Sequence, residues 1–245
     1  MRHADRLPKR RGEQGHADPY DLPRQERGTT PQMHGRYPEH DVLAQARHWD
    51  ETTRQVVFDR VENVPPIRFF GEDEARTLGA FCDTVTAQDA EPRIPVLAYV
   101  DERLHGREGV GWQFFDLPDD GEVWRLVARG LDEEARREGS ASFGEAALDV
   151  RLLICHRFAN AQLHGGAWAQ LNVSNAWSVV MRDVLSAFYA HPWAWNEIGF
   201  GGPAYPRGYA RFGSPHLHDA ERETWEGKQA LDVDPVRDTR ERGLE

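Results

Sequence analysis

Apolar residues recur along most of this chain at steps of three and four, the spacing of one face of an α-helix. Val42, Ala46, Trp49, Thr53, Val56, Val57, Arg60 and Val61 predict a first helix with Asp41 as its N-cap, closed by Pro65-Pro66. Ile67 to Phe70 then lead into Glu72-Asp73-Glu74, three acids that favour a helix start through the macrodipole, and Leu78, Phe81, Cys82 and Val85 line one face beyond them. Pro92 and Pro95 bracket a loop before a short helix over Val96 to Leu104, and Gly106 to Gly111 read as another loop. Asp119 or Asp120 caps a helix carrying Val123, Trp124, Val127 and Leu131. Ser142 with Glu145 has the spacing of a capping box, and Leu148, Leu152, Leu153 and His156 follow as the expected inner face. The last strong helix carries Trp177, Val180, Met181, Val184, Leu185, Phe188 and Tyr189 and stops at His191-Pro192. No stretch alternates for long enough to predict a strand, and no fixed-period repeat is present. The expected fold is all-α: a single irregular domain of six or seven helices around aromatic side chains.

Beyond His191-Pro192 the pattern changes. Residues 193–209 mix aromatics with Gly and Pro, and read as an aromatic loop that either plugs the core or anchors a partner. Residues 1–38 are rich in Pro, Gly, Arg and His and read as an extended or disordered arm. Residues 213–245 resemble a second polar tail. The helical domain is therefore expected over 39–212.

Composition agrees with one core flanked by polar ends. The chain has 245 residues, 39% of them apolar and 29% charged, and a mean hydropathy of −0.71. Eight Trp and eleven Phe supply the area a helical core needs. The net charge of −11 argues against nucleic acid as the main partner. Residues 1–36 carry eight Lys/Arg against five Asp/Glu, so a basic arm precedes an acidic body. No segment reaches the roughly 18–20 consecutive apolar residues of a membrane span. Lys9-Arg10-Arg11 is followed by Gly12-Glu13-Gln14-Gly15 in place of an apolar stretch, so a signal peptide is not expected and the chain taken alone reads as cytoplasmic.

No self-contained catalytic constellation emerges. Gly199-Phe200-Gly201-Gly202 is superficially like a phosphate-binding turn, but a helix precedes it where a dinucleotide fingerprint needs a strand. Asp119-Asp120 and Glu133-Glu134 sit where helices need caps and solvated faces. Ser174, Ser178 and Ser186 lie on or near a helix without a recognisable base, and Asn172-Val173-Ser174 is a chance sequon. Cys82 and Cys155 have no zinc or CxxC spacing and read as buried thiols; a disulfide is left open. His216 and His218 form an HxH in a polar tail. His191, beside Pro192, reads as a charged helix end, and the metal alternative is a stand-alone helical enzyme using His156, His164 and His191.

Phe188-Tyr189-Ala190-His191-Pro192, then Trp195-Asn196-Glu197-Ile198-Gly199-Phe200-Gly201-Gly202-Pro203 and Pro206-Arg207-Gly208-Tyr209, resemble the gluconate 2-dehydrogenase subunit 3 family. Val64 to Phe70, Glu74 to Leu78 with Cys82-Asp83, Ile94-Pro95 and Asp101 to Leu104 agree, so the resemblance runs from about residue 38 to 212. It implies a non-catalytic small subunit of a sugar or polyol dehydrogenase. The partner would be an FAD-containing large subunit of the glucose-methanol-choline (GMC) type, with a cytochrome c in some complexes, and this chain would help it mature. No cofactor is expected in this chain. Many members carry a twin-arginine signal, which this sequence lacks, so periplasmic location would require a signal-bearing partner. Trp193, Trp195, Asn196, Glu197, Phe200, Gly201, Gly202, Pro203, Tyr205, Arg207 and Tyr209 are the expected partner-binding residues, with Trp193, Trp195, Phe200 and Tyr205 as anchors. The competing reading is that these aromatics close the chain's own core. A chaperone that releases its client is a further alternative.

Overall fold

A computed structural model of the chain describes residues 41–88, 91–109, 111–198 and 200–203, with the side chains of residues 48 and 197 excepted. The arm over 1–38 and the tail over 213–245 lie outside the described residues. Seven α-helices follow one another: α1 (Glu51–Glu62), α2 (Glu72–Val85), α3 (Val96–His105), α4 (Asp120–Arg137), α5 (Leu148–Ala159), α6 (Val173–Tyr189) and α7 (Pro192–Ile198). Two 3-10 segments, η1 (Val42–His48) and η2 (Gly166–Gln170), precede α1 and α6. No strand occurs among the described residues, and the fold is all-α.

The core forms around α4, which packs against α2, α5, α6 and η2. Its apolar stripe is the one the periodicity marks: Val123, Trp124, Val127 and Leu131 are each fully buried. Aromatics tie the layers together. Phe81 of α2 meets the edge of Trp124 at 6.4 Å and of Trp177 at 6.3 Å, while Phe158 of α5 meets Trp168 at 4.8 Å and Trp177 at 5.1 Å. Gly130 lets Trp168 lie directly on α4: a Cβ there would stand 2.4 Å from the indole.

Helix starts follow local capping chemistry. Asp119, not Asp120, caps α4 by accepting from the Glu122 N–H at 3.1 Å. The expected first helix is broken in two. Asp41 caps η1, but Asp50 accepts from the Thr53 N–H at 2.8 Å and starts a new helix one residue after Trp49. Ser142 accepts from the Glu145 N–H at 3.3 Å, yet this caps only a turn, and α5 begins three residues beyond Glu145. The inner face of α5 also differs from expectation. Leu148, Leu152 and Leu153 are 49%, 50% and 40% exposed, whereas Ile154, Cys155 and Phe158 are buried. Two apolar stripes compete on that helix, and the one holding Phe158 wins because it alone adds a ring to the Phe81–Trp168–Trp177 cluster.

Buried polar groups fix the remaining geometry. Asp101, fully buried on α3, accepts the backbone N–H groups of Arg68, Phe69 and Phe70 at 2.7, 2.9 and 3.0 Å, pinning the segment before α2. Asp183 of α6, 4% exposed, accepts from the Trp124 indole at 2.9 Å and pairs with Arg103 and Arg182. The Gln88 side-chain amide pairs both ways with the Ile94 peptide group, donating at 3.0 Å and accepting at 2.7 Å, and so closes the loop before α3.

The α6–α7 break is built on His191, only 2% exposed. Its Nδ1 accepts from the Trp193 N–H at 3.2 Å, and its ring meets Trp193 at 4.8 Å and Tyr99 at 6.4 Å. Burial drives its pKa down to about 4; a hydrogen bond to the Arg60 backbone opposes the shift, and the Arg60 charge adds to it. His191 is therefore neutral at pH 7, contrary to the charged helix end expected from sequence.

Two outcomes follow from this packing. Gly130→Ala forces the methyl into Trp168 and should cost about 1–3 kcal/mol in chemical denaturation. Gly79→Ala meets nothing closer than Leu97 at 3.8 Å and should be neutral or stabilise α2 by up to about 1 kcal/mol. For His191 the folded pKa lies below the ordinary 6.5, so the unfolded chain binds the extra proton first. Its stabilisation is full above pH 6.5 and is lost as pH falls toward 4. Between about pH 7 and about pH 5 the loss should be about 2 kcal/mol, and His191→Asn should remove that part of the slope in paired denaturation curves.

Candidate functional site

The sequence places its candidate site after α6, and the structure shows how that segment folds. Pro192 occupies the first turn of α7, where a missing N–H and a fixed φ favour helix initiation. Residues 192–198 are thus a helix where the sequence reading expects a loop, and residues 200–203 lie outside any helix. Trp193 packs against the main core. Trp195 is 6% exposed, donates from its indole to the Tyr189 carbonyl at 2.6 Å, and joins Val42, Trp49 and Val57 in a second, smaller core. Asn196, 1% exposed, accepts the Val42 N–H at 2.8 Å.

After α7 the chain turns back on itself. The Phe200 N–H donates to the Trp195 carbonyl at 2.8 Å, and the two rings meet edge to face at 5.5 Å. Gly201 and Gly202 are buried and Pro203 is half-buried. Gly202 has φ +81°, and a Cβ there would stand 2.8 Å from Val42 and 2.9 Å from Trp49. Only glycine suits both the backbone and the space. Glu197 lies in α7 with its side chain outside the described set; Tyr205, Arg207 and Tyr209 also lie outside it.

Trp195, Asn196 and Gly202 therefore face the chain's own N-terminal segment. Four apolar side chains of α6, α7 and the residues after them stay outward: Leu185 (41% exposed), Tyr189 (46%), Ile198 (49%) and Phe200 (38%). Leu185 and Tyr189 are four residues apart on α6, on the side that periodicity alone assigns to the core. Val180 and Val184 take the inner positions on α6 and leave Leu185 and Tyr189 outward.

The other sequence candidates do not converge. His156 and His164 are exposed, whereas His191 is sealed under Tyr99 and Trp193. Among the described residues, no three of His, Cys, Asp and Glu form a group that could hold a metal. Cys82 and Cys155 are buried free thiols; burial pushes Cys155 up to about 12 and Cys82 higher still, so neither offers a thiolate near neutral pH. Of the paired carboxylates, Asp119 is a cap, Asp120 bridges Arg103 and Arg182, Glu133 accepts the Ala167 N–H at 3.0 Å, and Glu134 pairs with Arg137. The Ser178 hydroxyl donates to the Ser174 carbonyl.

One cleft of about 960 Å³ opens between the α3 C-terminus, the following loop and the α4 N-terminus. Phe69, Arg103, Trp112, Asp120 and Arg125 line it. Arg103 and Asp120 are engaged with each other and with Asp183 and Arg182, and Arg125 lies 4.2 Å over the Phe69 ring. These groups serve packing and ion pairing, and no nucleophile–base pair is among them. Beside the cleft, Phe115 is fully exposed on a loop held by Asp116, whose carboxylate accepts from Asn172 and Asn175 at 2.7–3.0 Å.

Comparison with known proteins matches residues 72–202 to the family model described as gluconate 2-dehydrogenase subunit 3. Neither a curated protein nor a solved structure matches the chain. The matched segment runs from the first residue of α2 to Gly202, taking in α2 to α7 and most of the aromatic core. With more than half its length in that match, the chain belongs to the gluconate 2-dehydrogenase subunit 3 family.

Proposed function

We propose that this chain is a non-catalytic accessory subunit that binds an FAD-containing GMC-type large subunit, stabilises or matures it, and leaves to it the oxidation of a sugar, polyol or related alcohol. The observation that carries the reading is the match to a dehydrogenase subunit family over residues 72–202, which hold most of the main core. The described chemistry supports it. Carboxylates in and around the core cap helices, hold backbone N–H groups or pair with arginines, and the buried histidine and thiols are held in their neutral forms by burial.

Exposed apolar side chains near the end of the family segment supply the means. Leu185, Tyr189, Ile198 and Phe200 present apolar area there, and exposed apolar area is what contact surfaces use. In this reading the flavin and the hydride chemistry belong to the large subunit, which also sets substrate choice. A cytochrome c is the expected onward acceptor. No helix of the described residues is long and apolar enough to cross a membrane.

Co-expression with the flavoprotein encoded beside it, followed by size exclusion monitored at flavin wavelengths, tests the reading. The chain and flavin should elute together, and omitting the chain should leave the large subunit insoluble or inactive. Leu185→Glu with Ile198→Glu should weaken the complex by roughly 30-fold, the scale of about 2 kcal/mol for an interface anchor. Stability of the free chain should change little, since both side chains are exposed. A flavoprotein that is soluble and active without this chain would overturn the proposal.

A further inference from the structure

α2 and α4 turn charge toward water, and α6 does not. α2 leaves Glu72, Asp73 and Arg76 exposed, and α4 leaves Arg129, Arg136 and Arg137 exposed. In the 17 residues of α6 only Arg182 and Asp183 are charged. Asp183 is buried, and Arg182 spends its charge on Asp120 and Asp183. Asn175, Ser178, Arg182, Leu185 and Tyr189 recur at steps of three and four, so they form one outward stripe about 21 Å long. Ser178, Leu185 and Tyr189 on that stripe are exposed. Free charge is what normally keeps an outward helix face in water, and here it is missing.

The loop before α4 continues the stripe. Asp116 accepts from Asn172 at 2.7 Å and from Asn175 at 2.9 and 3.0 Å, which seats the loop on the first turn of α6. Farther along the stripe, the Arg182 guanidinium lies 5.8 Å from the centre of the Trp112 ring. Phe114 packs against the main core and meets Trp112 at 4.8 Å, and Leu117 is buried. Between these fastened neighbours Phe115 is 100% exposed, and Trp112 is 56% exposed. An exposed ring on a loop already held in place loses little freedom on entering a pocket, which is the property of an interface anchor.

We infer that the outward stripe of α6 and the loop over residues 111–118 form one docking surface for the large subunit, with Phe115 as its anchor. The inference rests on the accessory-subunit reading and adds where on this chain the large subunit sits. Three observations select that occupant. All of α6 and the loop lie within residues 72–202, the segment matched to a family described as a subunit of gluconate 2-dehydrogenase. Aromatic side chains beside a paired arginine, with free charge depleted, are the composition of a protein–protein interface centre. Other occupants fit less well. Two copies of a chain with net charge −11 repel each other, and neither stripe nor loop offers a free Lys or Arg to an anionic membrane.

Hydroxyl-radical footprinting of the full chain, free and in complex with the co-expressed flavoprotein, tests the surface. Trp112, Phe115 and Tyr189 should oxidise readily in the free chain and several-fold more slowly in the complex. Leu148 and Leu152, exposed on α5, should react equally in both. Phe115→Asp should weaken the complex by about 30-fold, the scale of an interface anchor. It should leave the denaturation midpoint of the free chain unchanged, and Leu152→Asp should leave both quantities unchanged. A complex that forms while Phe115 stays reactive, or that protects the α5 leucines in its place, overturns this surface and leaves the accessory reading standing. Absence of any complex overturns the accessory reading and the surface with it. Rings already unreactive in the free chain also overturn it, with sedimentation velocity separating a dimer from a monomer whose own chain covers the stripe. Co-sedimentation with phosphatidylglycerol vesicles that Phe115→Asp abolishes would assign the surface to a membrane and overturn the inference as well.

Discussion

Everything in the body of this molecule turns on one buried charge. Asp183 lies at the crossing of three helices and takes a hydrogen bond or ion pair from each: Arg103 of α3, Trp124 of α4 and Arg182 of its own helix. A carboxylate so deeply placed is tolerable only when its lone pairs are matched, because an unpaired buried charge is among the costliest defects a core can hold. Asp120 shares both arginines and keeps the cluster near neutrality. The result is directional in a way that apolar packing is not. Leu or Val can slide by a fraction of a turn, but Trp124 Nε1 and Arg103 reach Asp183 at one register only, and α3, α4 and α6 are fixed relative to one another.

Asp101 serves the same end on a smaller scale. It gathers three successive amides that have no helix or strand to satisfy them. Between them, these two aspartates explain how a helical body with an irregular entry segment has a defined shape. They also explain why its polar side chains look inward. Thr77 donates to Asp132 at 2.8 Å, Phe143 N–H to the same carboxylate at 2.9 Å, and Arg125 covers Phe69. Groups used in this way hold helices and loops together.

The helices with one dominant apolar stripe were legible from spacing: α2, α3, α4 and α6 stand where three- and four-residue periodicity put them. Capping decided what periodicity could not. Asp50 starts a helix in the middle of an unbroken apolar pattern, since a side chain accepting the Thr53 N–H outweighs a weak stripe. In α5 the pattern was ambiguous in itself, because leucines on one face and Ile154, Cys155 and Phe158 on the other both fit a helix; only the neighbouring rings settle which face turns inward. Asp101 and Asp183 were invisible for the opposite reason. A lone aspartate in a helix reads as solvated, and its partners lie 31–33 and 59–80 residues away along the chain.

The same limit governs the candidate site. Aromatic and glycine content singles out residues 193–209, but composition leaves open whether such side chains close the chain's own core or meet a partner. The structure supplies the object: Trp195 and Gly202 close on Val42 and Trp49 of the same chain. These contacts make the α7 end part of the chain's own second core, with Trp195 and Asn196 buried under η1 and the Val42 N–H held by Asn196. The Asp183 cluster fixes α3, α4 and α6, and this smaller core fixes η1 against α7. What α7 and the residues after it leave outward is apolar, Ile198 and Phe200. On the accessory-subunit reading both features are needed, a body rigid enough to present a surface and apolar area exposed upon it.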